Sequence, residues 1–179
     1  MEVGAKRGVD VILVQEPRIY EGEGTVKNPG YTIYTSDPTW NMYKKTITYV
    51  RDGVKAQTIP RDNPQGHLTT IYLPGHDLHI HNVYRDWRSD DESWIHQRIL
   101  ETKGEREVFC GDFNRIGLQD RQYNILLDFL LTNYPILNSL DVPSRNGVLL
   151  DLACSRIQGA LAYVDHEADA GSDHLPPCP

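Results

Sequence analysis

The sequence predicts a layered α/β domain: two sheets packed as a sandwich and flanked by helices. Three observations predict it. Short apolar runs rich in β-branched residues recur along the whole chain, which is how strands read. Turn signals join several of these runs into hairpins, a connection that a purely parallel sheet does not use. Two stretches carry apolar residues at helical spacing together with capping signals.

The elements follow in order. Val11-Ile12-Leu13-Val14 is continuously apolar and reads as a strand buried on both faces. A Gly-, Glu- and Pro-rich loop follows, from Pro17 to Gly30. Tyr31 to Thr35, Thr46 to Val50 and Val54 to Ile59 read as short strands, the last two joined as a hairpin through Arg51-Asp52-Gly53. His67 to Leu73 and Asp77 to Tyr84 form another antiparallel pair around Pro74-Gly75-His76. Ser89 with Glu92 makes a capping box for a helix carrying Trp94, Ile95 and Ile99 and stopping at Gly104. A second helix runs from about Arg121 to Thr132, with Asp120 as N-cap and Leu126, Leu127, Leu130 and Leu131 on its apolar face. Val108 to Cys110, Leu149 to Cys154 and Leu161 to Val164 complete the strands.

A length of 179 residues with 39% hydrophobic content suits a single domain spanning 1–179. The mean hydropathy of -0.50 is that of a soluble chain. The apolar runs are too short to span a membrane, and the N-terminus lacks a secretory pattern. Three scattered cysteines, Cys110, Cys154 and Cys178, argue for a reducing, intracellular setting without a disulfide-linked partner. A net charge of -7 speaks against a tight, static, sequence-specific nucleic-acid binder. It leaves room for a nucleic-acid enzyme whose carboxylates hold metal. Phosphate-binding Walker loops, GxSxG elbows and HExxH helices are not in the sequence.

Four stretches place acids, amides and an imidazole at strand ends. Glu16 follows the first buried strand and precedes Pro17, which puts its carboxylate at a sheet rim. Asp112 and Asn114, two apart in Gly111-Asp112-Phe113-Asn114, share a face if the chain is extended, and Gly111 permits close backbone approach. Asp151 is an acid inside the apolar run Leu149-Leu150-Asp151-Leu152-Ala153 and, if buried, needs a partner such as a histidine. Asp173-His174 pairs a ligating carboxylate with an imidazole that Asp151 could orient. Read singly, each stretch also fits an ordinary solvated strand end or polar turn. His79 and His81 alternate on one strand and read as a partly exposed face, or as two zinc ligands lacking a third. The basic pairs Lys44-Lys45 and Arg85 with Arg88 are surface charge or phosphate contacts.

In this order, Gln15-Glu16-Pro17, Asn82-Val83-Tyr84, Gly111-Asp112-Phe113-Asn114, Asp151-Leu152 and Ser172-Asp173-His174 resemble the motifs of the endonuclease/exonuclease/phosphatase superfamily. The wording is closest to the apurinic-type endonuclease domain of non-LTR (LINE-type) retrotransposon polyproteins, over roughly Val9 to Pro176. The resemblance implies a four-layer αββα sandwich and hydrolysis of phosphodiesters with Mg2+ or Mn2+. It implies that Glu16 and Asp173 hold the metal and that Asp112 orients or deprotonates the attacking water. Asn114 and His174 would bind the scissile phosphate, Asp151 would support His174, and Tyr84 would contact the phosphate or the leaving oxygen. Asn82, Arg85, Arg115 and Ser144 are the further substrate-binding positions it implies.

Two departures accompany the resemblance. Met1 to Val9 reads as the tail of a helix that follows the family's first strand, so that strand is expected to be missing, and the chain ends just after the Asp-His motif. Arg115-Ile116-Gly117 stands where a Trp often follows in the retroelement domains. The implied function is a metal-dependent, DNA-nicking endonuclease of retroelement origin, nuclear if it acts on chromosomal DNA. Its alternatives are a catalytically inactive remnant, or a related phosphoesterase acting on RNA or small phosphates. The oligomeric state stays open.

Overall fold

The computed structural model describes residues 8–17, 27–36, 45–59, 67–85, 106–114, 132–137, 151–164 and 177–178. Ten strands lie within them: β1 (Val11–Gln15), β2 (Tyr31–Tyr34), β3 (Thr46–Arg51), β4 (Gln57–Thr58), β5 (Leu68–Leu73), β6 (Leu78–Tyr84), β7 (Glu107–Asp112), β8 (Asp151–Ser155), β9 (Tyr163–Val164) and β10 (Pro177–Cys178). The first predicted helix lies outside the described residues, as does all of the second except Thr132, which is helical with Asn133. The chain divides into two compact units, Met1–Tyr84 and Arg85–Pro179.

The first unit is a sandwich of two antiparallel layers. One layer has the order β1-β3-β2, and the other places β5 between β4 and β6. The β5–β6 hairpin forms as its turn residues predict, with Leu73 opposite Leu78 and Thr69 opposite Asn82. The expected hairpin between the third and fourth strands does not form. Strand β3 is bonded to β1 on one edge and to β2 on the other, so it has no edge left for β4, which pairs with β5 instead. The Asp52-Gly53 turn therefore carries the chain from one layer to the other. Strand β1, expected to be buried on both faces, is half-buried along its whole length and stands at the end of its layer among the described residues.

Period-2 alternation decides what lies between the layers. Toward the β5–β6 turn the interior is apolar: Val50, Ile71, Leu73 and Ile80 are buried, with Val11, Leu13, Tyr34 and Leu78 packed against them. Toward the other end the inward positions turn polar. The Thr46 and Thr69 hydroxyls lie 2.9 Å apart across the layers, and both residues are buried. Beyond them stand Asn82 and Gln15, then Glu16. Burying such groups is tolerable only when they are hydrogen-bonded, so this end of the sandwich is held by specific bonds rather than by area.

Gly53 shows what the crossover turn costs. Its φ is +92°, and an added Cβ would meet nothing within 4 Å. Gly53→Ala should therefore lose about 1 kcal/mol through backbone strain alone. Urea unfolding reads this, and an unchanged midpoint would mean that the turn relaxes.

In the second unit β7 and β8 pair antiparallel, with Phe109 opposite Cys154 and Asp112 opposite Asp151. Phe109, Phe113, Leu152 and Cys154 are buried to within 1%. Tyr134 packs edge-on to Phe109, with centroids 4.8 Å apart, and donates to the buried Glu107 carboxylate at 2.7 Å. Burial, followed by that bond, pushes the Tyr134 hydroxyl well above its usual range. Cys110 and Cys154 are free thiols that burial pushes up to about 12, so they stay protonated at neutral pH. Among the described residues no helix is long and apolar enough to cross a membrane.

Candidate functional site

In the first unit the polar end of the sandwich leads to Glu16. The amide of Asn82, which has no exposed surface, donates to the carbonyls of Ile47 at 2.8 Å and Val14 at 3.2 Å. Its oxygen accepts from Gln15 Nε2 at 2.6 Å. One buried side chain of β6 thus grips β1 and β3 just where β1 ends. Its amide faces the protein interior and is engaged in these bonds, where the resemblance implied a substrate contact.

Beyond Gln15 the backbone turns sharply. Glu16 has φ 45°, a left-handed conformation that costs a residue with a Cβ about 1 kcal/mol or more. Three bonds hold it there. Its N–H donates to Lys45 O at 2.9 Å, and its Oε1 accepts from Tyr84 Oη at 2.8 Å and from Lys45 Nζ at 3.1 Å. The Glu16 side chain is 54% exposed. Tyr84 is buried, edge-on to His67, with the Lys45 ammonium 5.3 Å from its ring centre. Tyr84 therefore meets the predicted metal ligand itself. A half-exposed carboxylate already holding one cation is a fitting donor for Mg2+, which is bound through one or two carboxylates together with substrate phosphates.

In the second unit the Gly111–Asn114 motif is a built turn. Gly111 has φ 151°, which only glycine adopts readily. Asp112 ends β7, and its Oδ1 accepts the Asn114 N–H at 2.7 Å. Asn114 has φ 44°, so the chain has left the extended form, and the shared-face expectation for Asp112 and Asn114 gives way to this short loop. Asn114 Nδ2 donates to Arg85 O at 2.7 Å, Arg85 N donates to Asp112 O at 2.9 Å, and Arg85 Nη1 donates to Asn114 O at 3.4 Å. Burial lowers the pKa of Arg85.

Asp112 and Asp151 are both buried, at 5% and 4% exposure, and stand directly opposite each other on β7 and β8. Opposed residues of an antiparallel pair share a face with close Cβ atoms. Two carboxyl groups so placed concentrate negative charge, which a metal ion or an imidazolium would offset.

Asp173, His174, Arg115 and Ser144 lie outside the described residues. Among those described, His, Cys, Asp and Glu side chains form no group of three that could hold a metal ion. His81, expected on a partly exposed face, is fully buried and lies 3.1 Å from the Thr70 hydroxyl. Lys45 and Gln15 are the contributions that pattern reading undervalued. Lys45 stood out only as half of a basic pair, because its partner lies 29 residues away.

Neither a protein-family model nor a curated protein sequence matches the chain. Solved structures do. The endonuclease domain of TRAS1, a telomere-specific non-LTR retrotransposon, superposes with a TM-score of 0.76 at 20% identity, over 96% of this chain and 85% of that one. The chain shares that fold. The likeness supports the expected α/β architecture in its coarse form, a fold rich in sheet. D. rerio TDP2, solved with a single-strand DNA product, aligns at 13% identity over 97% of this chain and 86% of that one, with a TM-score of 0.48.

Proposed function

We propose that the chain hydrolyses phosphodiesters with a divalent metal, Mg2+ or Mn2+, and nicks DNA as retroelement endonuclease domains do. One observation carries the reading. Among the described residues three non-glycine residues have positive φ, and two of them, Glu16 and Asn114, are positions singled out by motif. Backbone strain held in place by surrounding bonds is characteristic of functional sites. The fold shared with a retrotransposon endonuclease domain supports the same reading.

In this proposal the whole chain is one domain, a four-layer sandwich, that works inside the cell and in the nucleus where chromosomal DNA is the target. A bound divalent ion would neutralise the phosphate and steady the charge of the transition state. Glu16 and Asp173 are the residues to hold it. Asp112 accepts a proton from the attacking water, and the turn around Asn114 holds that carboxylate in one orientation. Asn114 and His174 bind the phosphate, with His174 steadied by Asp151. Tyr84 fixes the Glu16 carboxylate, while Arg85, Arg115 and Ser144 are substrate contacts.

Incubation with supercoiled plasmid tests the proposal. Nicking is expected with Mg2+ and is expected to stop in EDTA. Nicking that survives chelation overturns the metal-dependent reading. A folded protein that never nicks plasmid, yet cleaves RNA or a small phosphodiester, moves the substrate class instead. One that cleaves none of them is an inactive remnant.

A further inference from the structure

Lys45 is tied to Glu16 more firmly than a surface lysine is to a neighbouring acid. Its carbonyl accepts the Glu16 N–H at 2.9 Å, its ammonium lies 3.1 Å from Glu16 Oε1, and that ammonium sits 5.3 Å from the Tyr84 ring centre. Its side chain is only 29% exposed. Backbone bond, ion pair and cation–π contact together fix the charge on the carboxylate.

We infer that Lys45 is a positioning residue with two stations: it is the counter-ion of Glu16 while no divalent ion is bound, and it passes to a substrate phosphate when the ion takes the carboxylate. The inference rests on the metal-dependent reading above. An ammonium and a metal ion both seek carboxylate oxygen, so the lysine weakens the ion's hold on Glu16. Once displaced, it carries three donors and no acceptor, and a phosphate is the acceptor that suits it. The lysine would thereby tie full occupancy of the metal position to the arrival of substrate.

Mn2+ titration of the free protein, followed by the EPR signal of unbound Mn2+, tests the first station without any turnover. Lys45→Met should bind Mn2+ roughly two- to fivefold tighter than wild type, the range expected of a partly exposed ion pair. Glu16→Gln should bind more weakly, and adding Lys45→Met to it should restore nothing. Binding of a fluorescent DNA duplex with Mn2+ present, at several salt concentrations and in the slow-cleaving Asp112→Asn background, tests the second station. There Lys45→Met should reduce the salt slope by about 1, the signature of one lost phosphate contact. Unchanged or weaker Mn2+ binding by Lys45→Met, with Glu16→Gln still impaired, overturns the inference and leaves the metal reading standing. An unchanged salt slope overturns the second station, and tightening that persists in the Glu16→Gln background overturns the first. Glu16→Gln binding Mn2+ like wild type overturns the metal reading of Glu16 and the inference with it.

Discussion

Asp112→Asn should lower Mg2+-dependent nicking by about 10²–10⁴-fold, the contribution typical of a positioned general base, with little change in thermal stability. The asymmetry follows from the turn. Asp112 Oδ1 accepts the Asn114 N–H at 2.7 Å, and an asparagine oxygen can accept the same bond, so the loop keeps its shape. The loop is further tied through Arg85, whose backbone bonds to Asp112 O and to Asn114 Nδ2 do not involve the substituted atoms. Asp112 also stands directly opposite Asp151 and is buried, so an amide there removes one of two facing negative charges. In the proposed mechanism, what the variant loses is the capacity to take a proton from water. Initial nicking rates with a parallel melting curve read both halves. A variant that nicks within tenfold of wild type removes Asp112 from the base role, and one that melts far below wild type makes its carboxylate structural.

The parts of this molecule that local sequence encodes were legible, and the parts that depend on distant pairing were not. Pro74-Gly75-His76 announced the β5–β6 hairpin because a turn is a property of adjacent residues. Arg51-Asp52-Gly53 gave an equally good turn signal, yet it joins two layers, because β1 and β2 occupy both edges of β3. Nothing local to β3 and β4 records that competition. At the candidate site, motif order singled out Glu16, Asp112, Asn114 and Tyr84, while the bonds among them were invisible. Tyr84 meets Glu16 from 68 residues away and Lys45 from 29. A shared face was the natural inference for Asp112 and Asn114, but it presumed an extended chain, and the bond from Asn114 N to Asp112 Oδ1 bends it. A substrate contact at Asn82 was implied by the resemblance, through the Asn82-Val83-Tyr84 motif, and that motif does not record where the side chain points. Alternation instead turns it inward, onto the carbonyls of β1 and β3.

Asn82 should prove to be the side chain on which the Glu16 end of the sandwich depends. Asn82→Leu keeps roughly the same volume, but it withdraws the donor from Val14 O and Ile47 O and the acceptor from Gln15 Nε2. Buried groups left without partners cost about 1–3 kcal/mol each, so a loss of about 2–4 kcal/mol in urea unfolding is expected. Asn82→Asp is the sharper test, because it preserves shape and inverts polarity. The introduced carboxylate still accepts from Gln15, but it faces two carbonyl oxygens with no hydrogen to offer and carries an unpaired charge where Asn82 has no exposed surface. At pH 7 it should therefore be less stable than Asn82→Leu. Burial raises the pKa of that carboxyl in the folded state above the unfolded value of about 3.9. The excess penalty is thus fully present above the folded pKa, shrinks as pH falls through it, and is gone near the unfolded value. Protonation returns one donor to the carbonyls, so the gap between the two variants should narrow as the pH is lowered toward 5. If Asn82→Asp matches or exceeds Asn82→Leu in stability at pH 7, the amide of Asn82 is not what joins the two layers beneath Glu16.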